Sequence, residues 1–503
     1  LAHVGSSWQV GIIWRLVYLC ECLNAKWRAP NLTPMGNEKA CDIIIKDGRI
    51  FDGSGSPGLI GDIAVTDGQL IAAGDIGAWT ARETIDATGL AVAPGFIDTH
   101  THDDMALLRQ PAHPTKVTQG VTTVVIGNCG ASPAPLGPRD DLVEPPFTFL
   151  GSSDGRKFET YADYVDALTK AGPEVHVIKL VGHSNLRAAA MIEPHGQPND
   201  IEMAAMKAHL DEAMASGCVG FSVGLAYPTG NPAPTAELVE LAQVAAVHGG
   251  LYATHMRDEA DGVVASVEES IEIGKRGGVP VLISHHKCCG SENWGRSVDT
   301  LARIDAAADV GQRIYMDAYP YTASSTGLTA PMAARAERVL VTESVPQADQ
   351  ANRDLTDIMA DWQCDMETAV DRLSPAKAVY FQMSEEDLDR ILAHPRCMVG
   401  SDGMPSDDHP HPRLWGTFPR VLGHYARDRK LFELGQAIRK ITALPAECFG
   451  LADRGHIAAG MAADLVIFDP DTVTDRATYE MPERVSEGIA TVIVGGEVRY
   501  ERR

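Results

Sequence analysis

Residues 92–102 read V-A-P-G-F-I-D-T-H-T-H, an apolar run too short for a helix that closes on two histidines one residue apart. A strand fits this best. Side chains alternate along a strand, so His100 and His102 face the same way and can share one metal. A lone H-x-H is a weak signal, more often chance or core histidine than ligand. Here it opens a series. Seven more short apolar runs follow: V-T-T-V-V-I-G-N (121–128), V-H-V-I-K-L-V-G-H (175–183), C-V-G-F-S-V-G-L (218–225), G-L-Y-A-T-H (250–255), V-P-V-L-I-S-H-H (279–286), R-I-Y-M-D-A-Y (313–319) and C-M-V-G-S-D (397–402). Between them lie segments such as 200–217 and 260–277, whose apolar spacing fits amphipathic helices. Eight strands with crossover-length connections predict an α/β fold, a TIM-like (β/α)8 barrel. A doubly wound sheet fits less well, because no Gly-rich dinucleotide turn follows any of the strands.

The two ends of the chain have a different texture. C-D-I-I-I-K-D-G-R-I-F-D-G-S-G (41–55) and G-D-I-A-V-T-D-G-Q-L-I-A-A-G-D (61–75) alternate and are punctuated by D-G, as do 455–470 and 489–501 near the far terminus. They read as antiparallel strands and hairpins. The expected organisation is a small β-rich domain from residues 40–93 and 452–503, around a barrel spanning 94–451. Residues 322–396, after the seventh strand, are more than one helix needs and are expected to form a lid-like insertion. Residues 1–39 are expected to be an extra, disordered segment. Their apolar stretch 10–23 is interrupted by Arg15 and Glu21, is too short to span a bilayer, and has no signal-peptide cleavage pattern. Met35 is expected to be the true start.

Bulk composition narrows the function. Forty-three Lys and Arg stand against 68 Asp and Glu, a formal net charge of −25 in 503 residues. Such a surface repels nucleic acid and anionic membrane, so neither is expected as a partner. A small anionic substrate stays open, because a local cation cluster can reverse the sign inside a pocket. Ten cysteines in a chain this long form no disulfide framework and point to buried thiols in a reducing cytoplasm. Nothing in the sequence fixes an oligomeric state.

Active sites of such barrels lie at the C-terminal ends of the strands. Those ends carry His100 and His102 (strand 1), Cys129 (strand 2), His255 (strand 5), His285 and His286 (strand 6) and Asp402 (strand 8). Six metal-compatible side chains on one barrel face suit Zn²⁺ by type and number. His286 follows His285 and should alternate away from the site. His183, ending strand 3, could touch substrate or be packed; His113, His209 and His248 fall in helical or loop contexts and read as structural or solvated.

The motifs F-I-D-T-H-T-H, V-I-G-N-C-G, Y-A-T-H-M-R-D-E, I-S-H-H-K, D-A-Y-P-Y-T-A-S-S-T and H-P-R-L-W-G resemble the D-aminoacylases (N-acyl-D-amino-acid deacylases) of the amidohydrolase superfamily. The similarity runs from about residue 41 to about residue 501. H-x-H marks only the superfamily, whereas N-C-G with S-H-H-K and H-P-R-L-W-G narrows it to this branch. The resemblance implies zinc-dependent hydrolysis of the amide bond of small-molecule N-acyl-D-amino acids. It implies a tight zinc site of Cys129, His255 and His285, and a second, weaker position at His100, His102 and Asp402 with Cys129 able to bridge. Physical chemistry agrees: a thiolate and two imidazoles leave one Zn²⁺ position open, and the metal lowers the pKa of water towards about 7. Asp402 is then the general base. By the same resemblance Lys287, Tyr319, Ser325 and Arg413 hold the substrate carboxylate, Arg413 with its planar fork. Tyr227 is a pocket candidate, and Tyr380 and Met383 resemble positions lining the side-chain pocket.

Three other readings compete. Relatives acting on N-acyl-D-glutamate or N-acyl-D-aspartate share these motifs. A cyclic-amidase (hydantoinase-type) amidohydrolase needs a carbamylated lysine on strand 4, which contains none; Lys179 is on strand 3. A non-catalytic barrel would be expected to have lost ligands, and none is missing.

Overall fold

The computed structural model describes residues 39–135, 144–151 and 156–502. The expectations for the N-terminal segment and for a start at Met35 lie outside the described residues, apart from Lys39, which opens the first strand.

The barrel strands are Phe96–Asp98, Val121–Ile126, His176–Lys179 continuing as Val181–Gly182, Gly220–Gly224, Leu251–His255, Val281–Ile283, Ile314–Ala318 and Cys397–Val399. Successive strands pair in parallel, with the third passing from one ladder to the other at Leu180. The eighth meets the first through a bridge between Thr101 and Gly403 and a hydrogen bond from Asp402 N to His100 O at 2.8 Å. Alternation sorts the side chains. Val125, Leu180, Leu251, Ala253, Leu282 and Met398 fill the barrel interior. Val124, Phe221, Tyr252, Ile283 and Met316 face outward, packing with helical residues such as Leu186, Leu238, Val267, Ile304 and Ile391.

Strands from both chain ends form one eight-stranded sheet. Its order runs Glu497–Glu501, Ile489–Val494, Leu465–Phe468, Ala91–Pro94, Lys39–Ile50, Leu59–Thr66 and Gln69–Gly74, with Trp79–Asp86 also pairing Lys39–Ile50. The sequence pattern predicts antiparallel pairing throughout, but Lys39–Ile50 runs parallel to Trp79–Asp86 and to Ala91–Pro94. The D-G signals also divide. Asp67 and Gly68, with φ of 48° and 73°, form the expected two-residue hairpin turn. Asp47 and Gly48 instead make a bulge inside a strand, where a Cβ on Gly48 would lie 2.5 Å from a Val92 methyl.

The insertion after the seventh barrel strand is a small sheet of its own. Ala323–Gly327, Ala376–Phe381, Arg338–Ser344 and Arg353–Asp354 lie side by side in that order, all antiparallel. The helices Leu355–Trp362 and Met366–Leu373 contribute to a core of Leu328, Val341, Ile358, Leu373 and Tyr380. No helix among the described residues is long and apolar enough to cross a membrane.

Candidate active site and metal centre

Each barrel strand that carries a metal-type residue delivers it at its C-terminal end. His255 is the last residue of the fifth strand. Cys129 and Asp402 lie three residues past the ends of the second and eighth strands, and His285 two past the sixth. These three share an uncommon backbone, with φ of 54° at Cys129, 36° at His285 and 50° at Asp402. A non-glycine residue there costs about 1 kcal/mol or more and persists only when its neighbours enforce it. They do. Gly130 N donates to Ser222 Oγ at 2.9 Å, His285 N to Asp317 Oδ1 at 2.6 Å, and Asp402 N to His100 O. At His285 the turn swings one imidazole into the site and sends His286 out to Thr300 Oγ1 at 2.8 Å.

The result is a tight convergence. Cys129 Sγ lies 3.2 Å from His100 Nε2, 3.3 Å from His285 Nε2 and 3.7 Å from His255 Nδ1. Asp402 Oδ1 is 3.2 Å from His102 Nε2 and 3.5 Å from His100 Nε2. One donor atom each from His100, Cys129, His285 and Asp402 fall within 4.8 Å of one another, and His255, Glu259 and His285 make a second such group. Burial drives His100 far below its usual pKa and His255 down to about 3, so both rings keep a free lone pair. Burial, then the Asp402 charge, raises the Cys129 thiol well above its ordinary value. Neutral imidazoles around a thiol that only a cation can ionise are donors suited to a divalent, borderline-soft metal such as zinc.

Comparison with known sequences reaches the same place. An amidohydrolase family model matches residues 83–355 and 296–500. The chain belongs to the amidohydrolase family.

This amidohydrolase is 47% identical over 455 residues to a D-aminoacylase from Alcaligenes xylosoxydans xylosoxydans, covering 90% of this chain and 93% of the relative. It is 46% identical over 459 residues to an N-acyl-D-glutamate deacylase of the same organism, covering 91% and 93%. Its fold matches the crystal structure of an N-acyl-D-glutamate deacylase from Bordetella bronchiseptica with a TM-score of 0.89, at 47% identity, covering 92% of this chain and 97% of that one. That protein was solved with zinc and a phosphonate that mimics the tetrahedral intermediate of its reaction.

A cavity of about 910 Å³ opens beside the convergence in this amidohydrolase. His102, His255, His285 and Asp402 line it at the metal end. Phe149, Tyr227 and Met404, which pack together, also line it, as do Ser325 and Lys287 with Tyr319, 5.8 Å from ammonium to ring. Tyr227 brings its hydroxyl within 3.1 Å of His255 Nδ1. Three of the expected substrate residues are not part of its lining. Arg413 is fully buried, stacked 4.7 Å over the Tyr319 ring, with Nη1 2.9 Å from Asp402 Oδ2 and Nη2 donating to Ser325 O at 3.4 Å. Tyr380 is packed in the core of the insertion, where its hydroxyl donates to Gly327 O at 2.9 Å and accepts from Thr329 N at 3.0 Å. Met383 borders a second, small void that His285, Lys287 and Tyr319 of the site also line. His183 is likewise turned away, bonded to Glu237 at 2.7 Å in a buried pair that Arg187 completes.

The amidohydrolase site also rests on carboxylates that the strand-end pattern did not single out. Asp317 receives His285 N and stands 3.7 Å from His100 Nδ1; burial raises its carboxyl to about 7. Glu259 backs the two histidines nearest the cavity. Lys116, fully buried, donates to Asp98 Oδ2 at 2.8 Å and Ser401 Oγ at 2.9 Å, lacing the first strand to the loop that carries Asp402. Its partner Asp103 also pairs with His113 at 3.0 Å, which makes that histidine part of a buried charge network. The only signal for Glu259 was an acid four residues past His255 in Y-A-T-H-M-R-D-E.

Proposed function

We propose that this chain hydrolyses the amide bond of N-acyl-D-amino acids to a D-amino acid and a carboxylate, using zinc. The observation that carries this is the convergence of Cys129, His100, His255, His285 and Asp402 beside a cavity whose wall holds a buried ammonium, Lys287. The relatives named deacylases of N-acyl-D-amino acids support it along nine-tenths of the chain.

Cys129, His255 and His285 would hold the tight zinc, and His100, His102 and Asp402 a second, weaker one. Bound there, zinc supplies Lewis acidity to the scissile carbonyl and acidifies the attacking water. Asp402 accepts that water's proton and passes it to the departing nitrogen. Burial alone would raise the Asp402 carboxyl, but Arg413 and then His102 hold it well below the usual range, keeping it ionised. Lys287, Tyr319 and Ser325 bind the substrate carboxylate, with Tyr227 beside His255 at the metal end. The fourth barrel strand, Gly220–Gly224, carries no lysine, so a carbamate-bridged, cyclic-amidase site has no residue there to build on. The eight described cysteines are all unpaired, seven of them buried, which suits a reducing compartment such as the cytoplasm.

A second reading makes an acidic D-side chain the preferred one. Arg335 lines the cavity with its side chain 46% exposed and a single long contact, 3.6 Å, to Asp261. Assays of the N-acetyl derivatives of D-Met, D-Leu, D-Glu and D-Asp beside their L-isomers test both. Turnover confined to D-isomers is expected; turnover of none of them would overturn the proposal.

A further inference from the structure

Glu259 sits in the loop after the fifth barrel strand, with its side chain 11% exposed. Its two oxygens face two different histidines. Oε1 lies 3.1 Å from His285 Nδ1, and Oε2 lies 3.7 Å from His255 Nε2. In both rings the other nitrogen points at Cys129 Sγ, His285 by Nε2 at 3.3 Å and His255 by Nδ1 at 3.7 Å. The two histidines thus use opposite nitrogens, and a single carboxylate stands behind both. Oε1 also accepts from Lys287 Nζ at 2.6 Å.

We infer that Glu259 is the positioning residue of the metal site: its one carboxylate sets the ring orientation of both His255 and His285, and it seats Lys287 on the substrate wall. A histidine that gives one nitrogen to a metal carries its proton on the other, and a carboxylate there fixes tautomer and ring angle. Here one side chain stands behind two rings whose planes meet at 81° with centroids 4.5 Å apart, at hydrogen-bond distance from His285 and 3.7 Å from His255. Glu259 acts on the two rings from behind, at the nitrogens turned away from Cys129, with ligand atoms of all three residues within 4.8 Å of one another. A protonated Nδ1 cannot accept from Lys287 Nζ, 2.7 Å away, so with His285 Nε2 given to a metal the ammonium's acceptors are Glu259 Oε1 and His285 O, at 2.6 Å and 2.8 Å. The same pairing holds Lys287 beside the Tyr319 ring, 5.8 Å away, on the wall assigned to the substrate carboxylate.

The inference rests on the zinc reading, and the experiment separates the two. Full-length wild type, Glu259→Gln and Glu259→Asp are stripped of metal, and zinc affinity is measured by competition with a chromophoric chelator. The Co²⁺-substituted absorption spectrum is recorded alongside. Gln keeps the size but loses the second charged acceptor; Asp keeps the charge but cannot reach both rings. Both variants should bind zinc about 10–100-fold more weakly and shift the Co²⁺ bands. Should Glu259→Gln fail to fold, Glu259→Asp decides, since it leaves charge balance intact. Wild-type affinity in Glu259→Asp would overturn the positioning role, because charge alone would then suffice. A wild type with no tight zinc would overturn the functional reading and this inference with it.

Discussion

Arg413 and Asp402 form a buried ion pair, Nη1 to Oδ2 at 2.9 Å, at the edge of the proposed metal site. Sequence reasoning gave these residues separate tasks, one for substrate and one for proton transfer. Joined, they let the Arg413 guanidinium hold the Asp402 carboxylate in its charged form.

The pairing fixes the sign of a pH effect. Asp402 in the folded protein is held well below its ordinary pKa, against the pull of burial, with Arg413 the largest favourable contributor. Removing the guanidinium must raise that pKa. Arg413→Gln should therefore move the acid limb of the kcat profile to higher pH and lower kcat on N-acetyl-D-methionine and on its amide alike. A loss confined to the substrate with a free carboxylate would return Arg413 to substrate binding. The same depressed pKa adds stability above the unfolded value of about 3.9, lost as pH falls through the folded value.

Zinc dependence follows from the donor set. Prolonged chelation should abolish activity and Zn²⁺ should restore it, since no other group in the site activates water. Cys129→Ala removes the only thiolate among the convergent residues and should lose the tight metal. Full activity in that variant, with zinc content near zero, would end the metal assignment.

Lys116 predicts a cost in stability instead of chemistry. It is fully buried between Asp98 and Asp103, at 2.8 Å and 3.4 Å, where strand one meets the Asp402 loop. Lys116→Met would leave two buried carboxylates without their cation. Breaking such a pair from one side costs about 3–5 kcal/mol. Urea unfolding of wild type and variant should differ by that order; a difference below about 1 kcal/mol would make the network dispensable.

What the sequence made legible was whatever a strand carries to its end. His100, His102, Cys129, His255, His285 and Asp402 each follow an apolar run, and a parallel barrel gathers all such ends on one face. Even there the mechanism was richer than alternation: His286 leaves the site because His285 has a positive φ, which no local pattern announces. Residues set by contacts across the fold stayed hidden. Glu259, Asp317 and Lys116 come from a loop, a strand and a short helix, and only burial against distant partners gives them work. Tyr380 shows the reverse. Its resemblance is to a position lining the side-chain pocket, and the fold packs it in the core of the insertion with its hydroxyl bonded to Gly327 and Thr329.

The sharpest prediction concerns Asp402. It follows the last barrel strand in V-G-S-D-G, and its Oδ1 is 3.2 Å from His102 and 3.5 Å from His100. An aspartate before glycine commonly caps a turn, and a capping role would survive Asp402→Asn, because asparagine keeps an acceptor oxygen. Here the side-chain contacts run to His102, His100 and Arg413, as a base needs. The amide cannot take a proton, so kcat should fall by the roughly 10²–10⁴-fold that general acid–base catalysis supplies. The tight zinc should stay, since Cys129, His255 and His285 are untouched. The measurement is kcat beside zinc content on folded protein. Near-normal kcat with zinc in place would remove Asp402 from the mechanism, whereas a parallel loss of zinc would make it chiefly a ligand.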